Sequence, residues 1–325
     1  MHYVRFALSL AIAEERLHLG IEIKKKVFFA LLSARFALSL PMVIMNRDYK
    51  YTEEELSRLH DVLYEITAEV KRVCDELGLR YFIIGGTAIG AYYWQSILPW
   101  DDDIDIGMPR SDYERFLREA PAILGSDYFL QSPLHEEHTP FWFAKLRKNG
   151  TLFAEHDFRY IEMHQGIFVD IFPFDKIPRQ AWLERLQYEA LGFFNACFIG
   201  KELWQWRHCG KCQVDVPRPR GFIACMVTRI VNTLLPKRAI YSIMRWIQTW
   251  FSNWQSDYYK NIITTNDKVA AIDIADVQSV TFGPLMVDAP KNLLTYLKTH
   301  YPHLVKDVPD EMKINHRPDT LSFGE

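Results

Sequence analysis

The chain has 325 residues, 49% of them hydrophobic, enough to bury a large core as one elaborated domain or as two. Its formal net charge of −3 offers no field for nucleic acid, and no long basic run occurs outside Lys24–Lys26. Five cysteines, an odd number without framework spacing, fit a reducing compartment and exclude a disulfide scaffold.

In chain order, residues 1–45 form an apolar and basic extension. Lys24–Lys26 precede a mostly apolar run, as in a signal anchor. Arg35 sits within that run, where a charge costs about 2.5–3.5 kcal/mol on insertion, and Pro41 interrupts it. A membrane-seeking helix, a packed helical arm and an upstream translation start all remain open. The hexapeptide RFALSL occurs at 5–10 and 35–40, too few copies for a solenoid. The globular fold is expected to begin near Thr52, which with Glu55 has the spacing of a capping box. Leu56, Leu59, Leu63, Ile66, Val70, Val73 and Leu77 follow at helical spacing, and Gly78 closes the helix.

Residues 79–84 read as a strand running into Gly85-Gly86, with a short helix after the glycines. An acidic strand "DIDIGM" comes next, then a helix over 111–119. "FWFAKLRKNGTLFAE" predicts a hairpin turned by Asn149-Gly150. "GIFVDIFPFD" (166–175) predicts an apolar strand with one Asp inside it. From about Arg179 to Lys260 the pattern is mostly helical, broken near 208–220 by Gly and Pro. Cys209 and Cys212 form a single CxxC without the second ligand pair that zinc needs, so a surface loop is the expectation there. Trp246, Trp250 and Trp254, four apart, predict one helix face that packs in the core, stacks on sugars or anchors at an interface. "SVTFGPLMV" and a helix near 291–300 complete an α+β pattern without regular βαβ alternation. The expected division is an extension over 1–45, a catalytic core over 46–178, and a mostly helical acceptor-side region over 179–325.

The chemistry concentrates in "LPWDDDIDIGMPR" (98–110). Alternation puts Asp103 and Asp105 on one strand face and Ile104 and Ile106 on the other. Asp170 shares its strand face with Phe168 and Phe172, where an unpaired buried carboxylate costs several kcal/mol. Three carboxylates on neighbouring strands repel unless a divalent cation bridges them. Gly85 and Gly86, with the Thr87 that follows, stand at a strand-to-helix junction whose backbone N–H groups suit phosphate. Lys145 and Arg147, two apart on one strand face, suit phosphate oxygens or are solvated strand charges. His60 is expected to be packed or exposed rather than catalytic, and Arg110 either balances the acidic strand or meets substrate.

"YFIIGGTAIGAYYWQSILPWDDDIDIGMPRSDYERF" and "KLRKNGTLFAEHDFRYIEMHQGIFVDIFPFDKIP" resemble the two signature blocks of the LicD family of phosphocholine and related phosphotransferases, to which fukutin-type enzymes are related. The resemblance is dense over about 52–178, with weaker echoes near 279–300. It implies a nucleotidyltransferase-like mixed sheet with flanking helices, and metal ligands at Asp103, Asp105 and Asp170. It further implies Mg²⁺, with Mn²⁺ as a substitute. The implied donor is a CDP-linked alcohol, CDP-choline first, and the implied acceptor is a glycan hydroxyl. A cytoplasmic location, free or at the cytoplasmic face of the membrane, goes with that reading. Moving NMP from an NTP, or a non-catalytic role with a degenerate site, are the competing readings. One departure stands out: the family's arginine after the glycines is Tyr93 here.

Overall fold

The computed structural model describes residues 51–208, 222–262, 267–306, 308–309, 313 and 315–324. The extension over 1–45, both RFALSL copies and the Cys209/Cys212 pair lie outside them. Helix α1 (Glu53–Leu77) starts as its sequence dictates. Thr52 Oγ1 accepts the Glu55 N–H at 3.1 Å, and Glu55 Oε2 accepts the Thr52 N–H at 2.9 Å. It ends at Gly78 in the left-handed conformation, φ +62°. Leu59, Leu63, Ile66, Val70 and Val73 are wholly enclosed against the sheet.

The sheet orders its strands β1 (Phe82–Ile83), β2 (Asp105–Pro109), β6 (Phe168–Lys176), β4 (Ala144–Lys148) and β3 (Tyr128–Gln131). β2 and β6 run parallel and the other neighbours antiparallel, so this is a mixed sheet in an α+β fold. Helix α2 (Gly85–Trp94) follows β1, and helix α3 (Arg110–Glu119) follows β2. Residue register separates two faces. Ile83, Ile106, Ile171 and Ala144 align on one face, with Val169, Leu146 and Leu130 in the next row. Asp105, Asp170, Lys145 and Gln131 align on the other.

Gly107 lets the rings of Phe82 and Phe174 meet edge to face, with centroids 5.0 Å apart. A Cβ on Gly107 would lie 2.7 Å from Phe82 and 2.8 Å from Phe174. Gly107→Ala should therefore cost about 1–3 kcal/mol by overpacking, read as a lower urea midpoint at constant m-value.

The predicted hairpin does not form. Both runs are strands, and Gly150 turns between them at φ +76°. β4, however, already has β3 on one side and β6 on the other, so β5 (Leu152–Ala154) finds no free edge there. It pairs instead with β11 (Thr320–Ser322), near the other end of the chain.

Helices α4 (Ala181–His208), α5 (Phe222–Leu234) and α6 (Lys237–Gln248) build a second cluster around Leu191, Phe198, Ile240, Met244 and Ile247. α6 is fastened to α4 at both ends: Lys237 pairs with buried Glu202, and Gln187 Nε2 donates to the Ile247 carbonyl at 2.8 Å. The three-tryptophan helix face is not realised. The helix stops at Gln248, and short turns carry the chain through Trp250 and Trp254. Trp246 and Trp254 are exposed, while Trp250 packs partly on the cluster. The helical run expected to about Lys260 ends at Gln248, while the helix expected near 291–300 is present. β7 (Tyr258–Lys260) extends the sheet from the end of β6, with β8 (Lys268–Ala270) beside it. After a single helical turn α7 (Ala271–Ala275), β9 (Gln278–Phe282) and β10 (Leu285–Ala289) form a hairpin, and α8 (Leu293–His300) follows. Phe282, Val287, Leu293 and Leu297 enter the same core as the α1 stripe. Among the described residues no helix is long and apolar enough to cross a membrane.

Candidate active site

The acidic stretch bends around the start of α2. Gly85 has φ +57°, and a Cβ there would lie 3.2 Å from Asp105 Oδ2. A Cβ on Gly86 would come within 2.7 Å of Asp101 Oδ2. Both glycines are thus required by the close approach of carboxylates to a helix N-terminus, where negative charge is favoured. Thr87 Oγ1 accepts the Asp105 N–H at 2.8 Å, fixing the point at which β2 begins. Asp103 consequently precedes the strand rather than lying in it. The Gly85 N–H is taken by Tyr296 Oη at 3.2 Å, and that hydroxyl donates to Asp267. The first helical bond runs from Ala88 N to the Ile84 carbonyl, so the N–H groups of Gly86 and Thr87 precede it.

On the sheet face, Asp105 and Asp170 are register partners, and Asp170 and Lys145 are the next pair. Lys145 Nζ lies 2.9 Å from Asp170 Oδ1 and 3.9 Å from Glu155. Phe168, Phe141 and Phe143 surround this ammonium at 3.4, 4.2 and 5.5 Å from their ring centroids. Arg147 shares the face but not the carboxylates. It donates to Gln131 Oε1 and the Gly166 carbonyl, both at 2.7 Å, and is 0% exposed. A guanidinium enclosed in this way presents nothing to a phosphate; it joins β4 to β3 and to the loop before β6. Arg110 grips Asp175 of β6 with two bonds of 2.8 and 2.6 Å, so it is spent on that carboxylate and not on the acidic stretch it follows. His60 is half-buried, and its Nε2 donates to the Asp101 carbonyl at 2.8 Å.

Asp102 turns away from this row. It accepts the Tyr51 hydroxyl at 2.8 Å and the His316 backbone N–H at 2.8 and 3.0 Å. His316 Nδ1 stands 3.6 Å from Asp102 and 3.9 Å from Asp103. Among the described residues, the ligand atoms close enough to share one ion belong to Asp102, Asp103 and His316, not to Asp103, Asp105 and Asp170. Lys145, lying on Asp170, acts as the cation of the second group.

Burial, and then the charge of neighbouring aspartates, pushes Asp101, Asp103 and Asp105 above the usual carboxylate range. Burial also raises Asp170, against the opposing pull of Lys145. Hydrogen bonding to Asp102 raises His316 to about 9. Tyr93 is half-buried between Tyr92 and Trp94, with ring centroids at 4.9 and 5.7 Å, and Trp94 continues to Trp100. Lys306 and Lys313 approach the faces of Trp94 and Trp100 at 5.6 and 5.4 Å. Cations therefore reach this turn from the C-terminal segment, although residue 93 is not one. Sequence reasoning missed Tyr51, Asp267, Tyr296 and His316. Asp267 and His316 come from stretches without a motif, and Tyr296 lies where the family resemblance is only a weak echo.

Residues 78–218 match the family model described as LicD/FKTN/FKRP, nucleotidyltransferase domain. A stretch of 45 residues is 44% identical to the lipopolysaccharide cholinephosphotransferase LicD of Haemophilus influenzae, covering 14% of this chain and 17% of that protein. An uncharacterized protein of Rickettsia typhi is 34% identical over 59 residues, 18% of this chain and 19% of that one. Another, from Rickettsia prowazekii, is 36% identical over 50 residues, 15% of this chain and 19% of the relative. The matched stretches thus span less than a fifth of each relative's length. The family match contains the glycine pair, the aspartate row and Lys145, and leaves out Tyr51, Asp267, Tyr296 and His316.

Proposed function

We propose that this chain, whose residues 78–218 carry a LicD-family domain, transfers phosphocholine or a related phospho-alcohol from a CDP-linked donor to a hydroxyl of a cell-surface glycan or its precursor. The observation that carries this reading is the Asp105–Asp170–Lys145 row beside the Gly85-Gly86 helix start. The name of the Haemophilus relative supports the choice of CDP-choline as the first donor to try.

Asp105 and Asp170, register partners on β2 and β6, offer the hard oxygen donors that Mg²⁺ or Mn²⁺ prefers. Asp103, which precedes the strand, is not close enough to share one ion with both. Asp170 Oδ1 is buried without a hydrogen bond, although Lys145 Nζ is 2.9 Å away, which suits a cation ligand. A divalent ion, if held by these carboxylates, would supply neutralisation of phosphate charge in the transfer. The rest falls to the chain: phosphoryl transfer needs alignment and charge compensation more than covalent help. In this reading the N–H groups of Gly86 and Thr87 hold a phosphate, and Lys145 adds positive charge from the strand beside Asp170. Asp102 is committed to Tyr51 and His316. The acceptor hydroxyl's proton then falls to one of the other aspartates of the acidic stretch.

Incubation with a panel of CDP-alcohols should release CMP only with Mg²⁺ or Mn²⁺ present, and EDTA should stop it. Pyrophosphate release from an NTP would make the protein a nucleotidyltransferase instead, and release of neither product would leave it non-catalytic.

A further inference from the structure

The helical layer departs from the usual pattern of a soluble surface. From Phe222 to Ser256 the chain contains no Asp or Glu, while Arg229, Lys237, Arg238 and Arg245 fall within it, in a protein of net charge −3. Two of these charges are used internally: Lys237 pairs with Glu202 and Arg245 with Glu114. Arg229 and Arg238 are exposed, and neither enters an ion pair among the described residues.

Helix α5 is apolar on both sides. Val231 and Leu235, just past its end, turn inward onto the α4–α6 cluster. Met226, Ile230 and Leu234, spaced i, i+4, i+8, line one outward ridge and are 46%, 48% and 72% exposed. An ordinary surface helix shows solvent its polar face; this one shows a three-residue aliphatic stripe with Arg229 beside it. On α6, which follows after Leu235 and Pro236, the outward ridge is Arg238, Ser242 and Trp246, the last 64% exposed. At that end of the layer Trp182 and Trp254 are exposed as well, and Gln187 ties the start of α4 to the end of α6. Aliphatic side chains, tryptophans and arginines without local acids are the composition of a surface lying in the headgroup region of a bilayer.

We infer that the outward ridges of α5 and α6 dock this protein on an anionic lipid surface, with Ile230 and Leu234 entering the acyl boundary and Arg229 and Arg238 meeting headgroup phosphates. With no acids over 222–256 to be repelled by anionic headgroups, and exposed aliphatic side chains and tryptophans interleaved with the arginines, the composition fits an anionic lipid surface. This inference does not rest on the transfer reaction and stands or falls separately from it.

The test is sedimentation of the full chain with vesicles of phosphatidylcholine containing phosphatidylglycerol. The protein should pellet with these vesicles, less with pure phosphatidylcholine, and less in high salt. Arg229→Gln and Arg238→Gln should each lower partitioning about fivefold. Ile230→Ser with Leu234→Ser should lower it more than about tenfold. All four changes lie on the surface, and an unaltered melting temperature confirms that the fold is intact. Should the serine pair melt early, the arginine variants decide the matter alone. Pelleting that is unchanged by both pairs would place the lipid contact elsewhere and overturn the inference. It is overturned equally by a vesicle-free dimer that the serine pair splits, with no vesicle binding, because the ridge would then cover a second copy.

Discussion

Asp105→Asn is expected to abolish transfer, by on the order of a thousandfold or more, while raising the melting temperature of the metal-free protein at neutral pH. The two effects have one cause. Asp105 is held well above the usual carboxylate range by burial and by the charges of Asp103, Asp170 and Asp101. A carboxyl whose folded pKa is raised binds its proton more tightly in the folded chain. Its contribution is therefore fully present below the unfolded value, 3.8, and is lost as pH rises through the folded one. Above 3.8 ionisation favours the unfolded chain, so the amide, which has no proton to lose, should remove that penalty, and the gain should shrink as pH falls toward 3.8. Asp170→Asn should lose activity to the same degree but gain less in stability, because its carboxyl is raised only to about 6 and the amide also strips Lys145 of its 2.9 Å partner. Thermal melts from pH 4 to 8 in EDTA, with CMP release alongside, read both outcomes. Near-parental turnover would remove Asp105 from the ligand set, and a lowered melting temperature in Asp105→Asn would make its carboxylate structural.

Lys145→Met is the second large effect, with an expected loss of about 3–5 kcal/mol. Lys145 is 2% exposed, packed on the ring of Phe168 and paired with Asp170. Methionine keeps much of the volume and the contact with the rings but leaves Asp170 and Asp105 side by side without a cation. Adding Asp170→Asn should return most of the stability without returning activity, the coupling that a double-mutant cycle measures. Mg²⁺ should also raise the melting temperature of Lys145→Met more than that of the parent, since the ion then supplies the missing positive charge. A single variant within 1 kcal/mol of the parent, by urea titration at about that precision, would show that the pair is not what holds the row together.

Several local signals hold where one segment contains both cause and effect, although the four-residue spacing of Trp246, Trp250 and Trp254 does not, because the helix ends at Gln248. The capping box at Thr52, the α1 stripe, the left-handed Gly78, the two faces of "IFVDIF" and, from Asp105 onward, those of "DIDIGM" appear as the sequence predicts, with Asp103 falling just before the strand. The hairpin failed for a reason no window contains: Asn149-Gly150 does turn, but β4's edges are filled by strands from elsewhere. Lys145 and Arg147 look alike in sequence, two apart on one strand. Their fates diverge because Asp170 faces one and Gln131 meets the other.

By itself the sequence determined the helix starts and stops, the strand faces, and the presence of carboxylates that demand a cation, because period, capping and charge repulsion act over a few residues. Only the tertiary structure decided which groups answer that demand. Asp105, Asp170 and Lys145 meet because β2, β6 and β4 are neighbours in the sheet. Tyr296 and His316 reach Gly85 and Asp102 from more than two hundred residues away, because the last quarter of the chain folds back onto the core. Contacts at that separation leave no periodic trace in either segment, since each is set by the packing of the whole and by no pattern of its own.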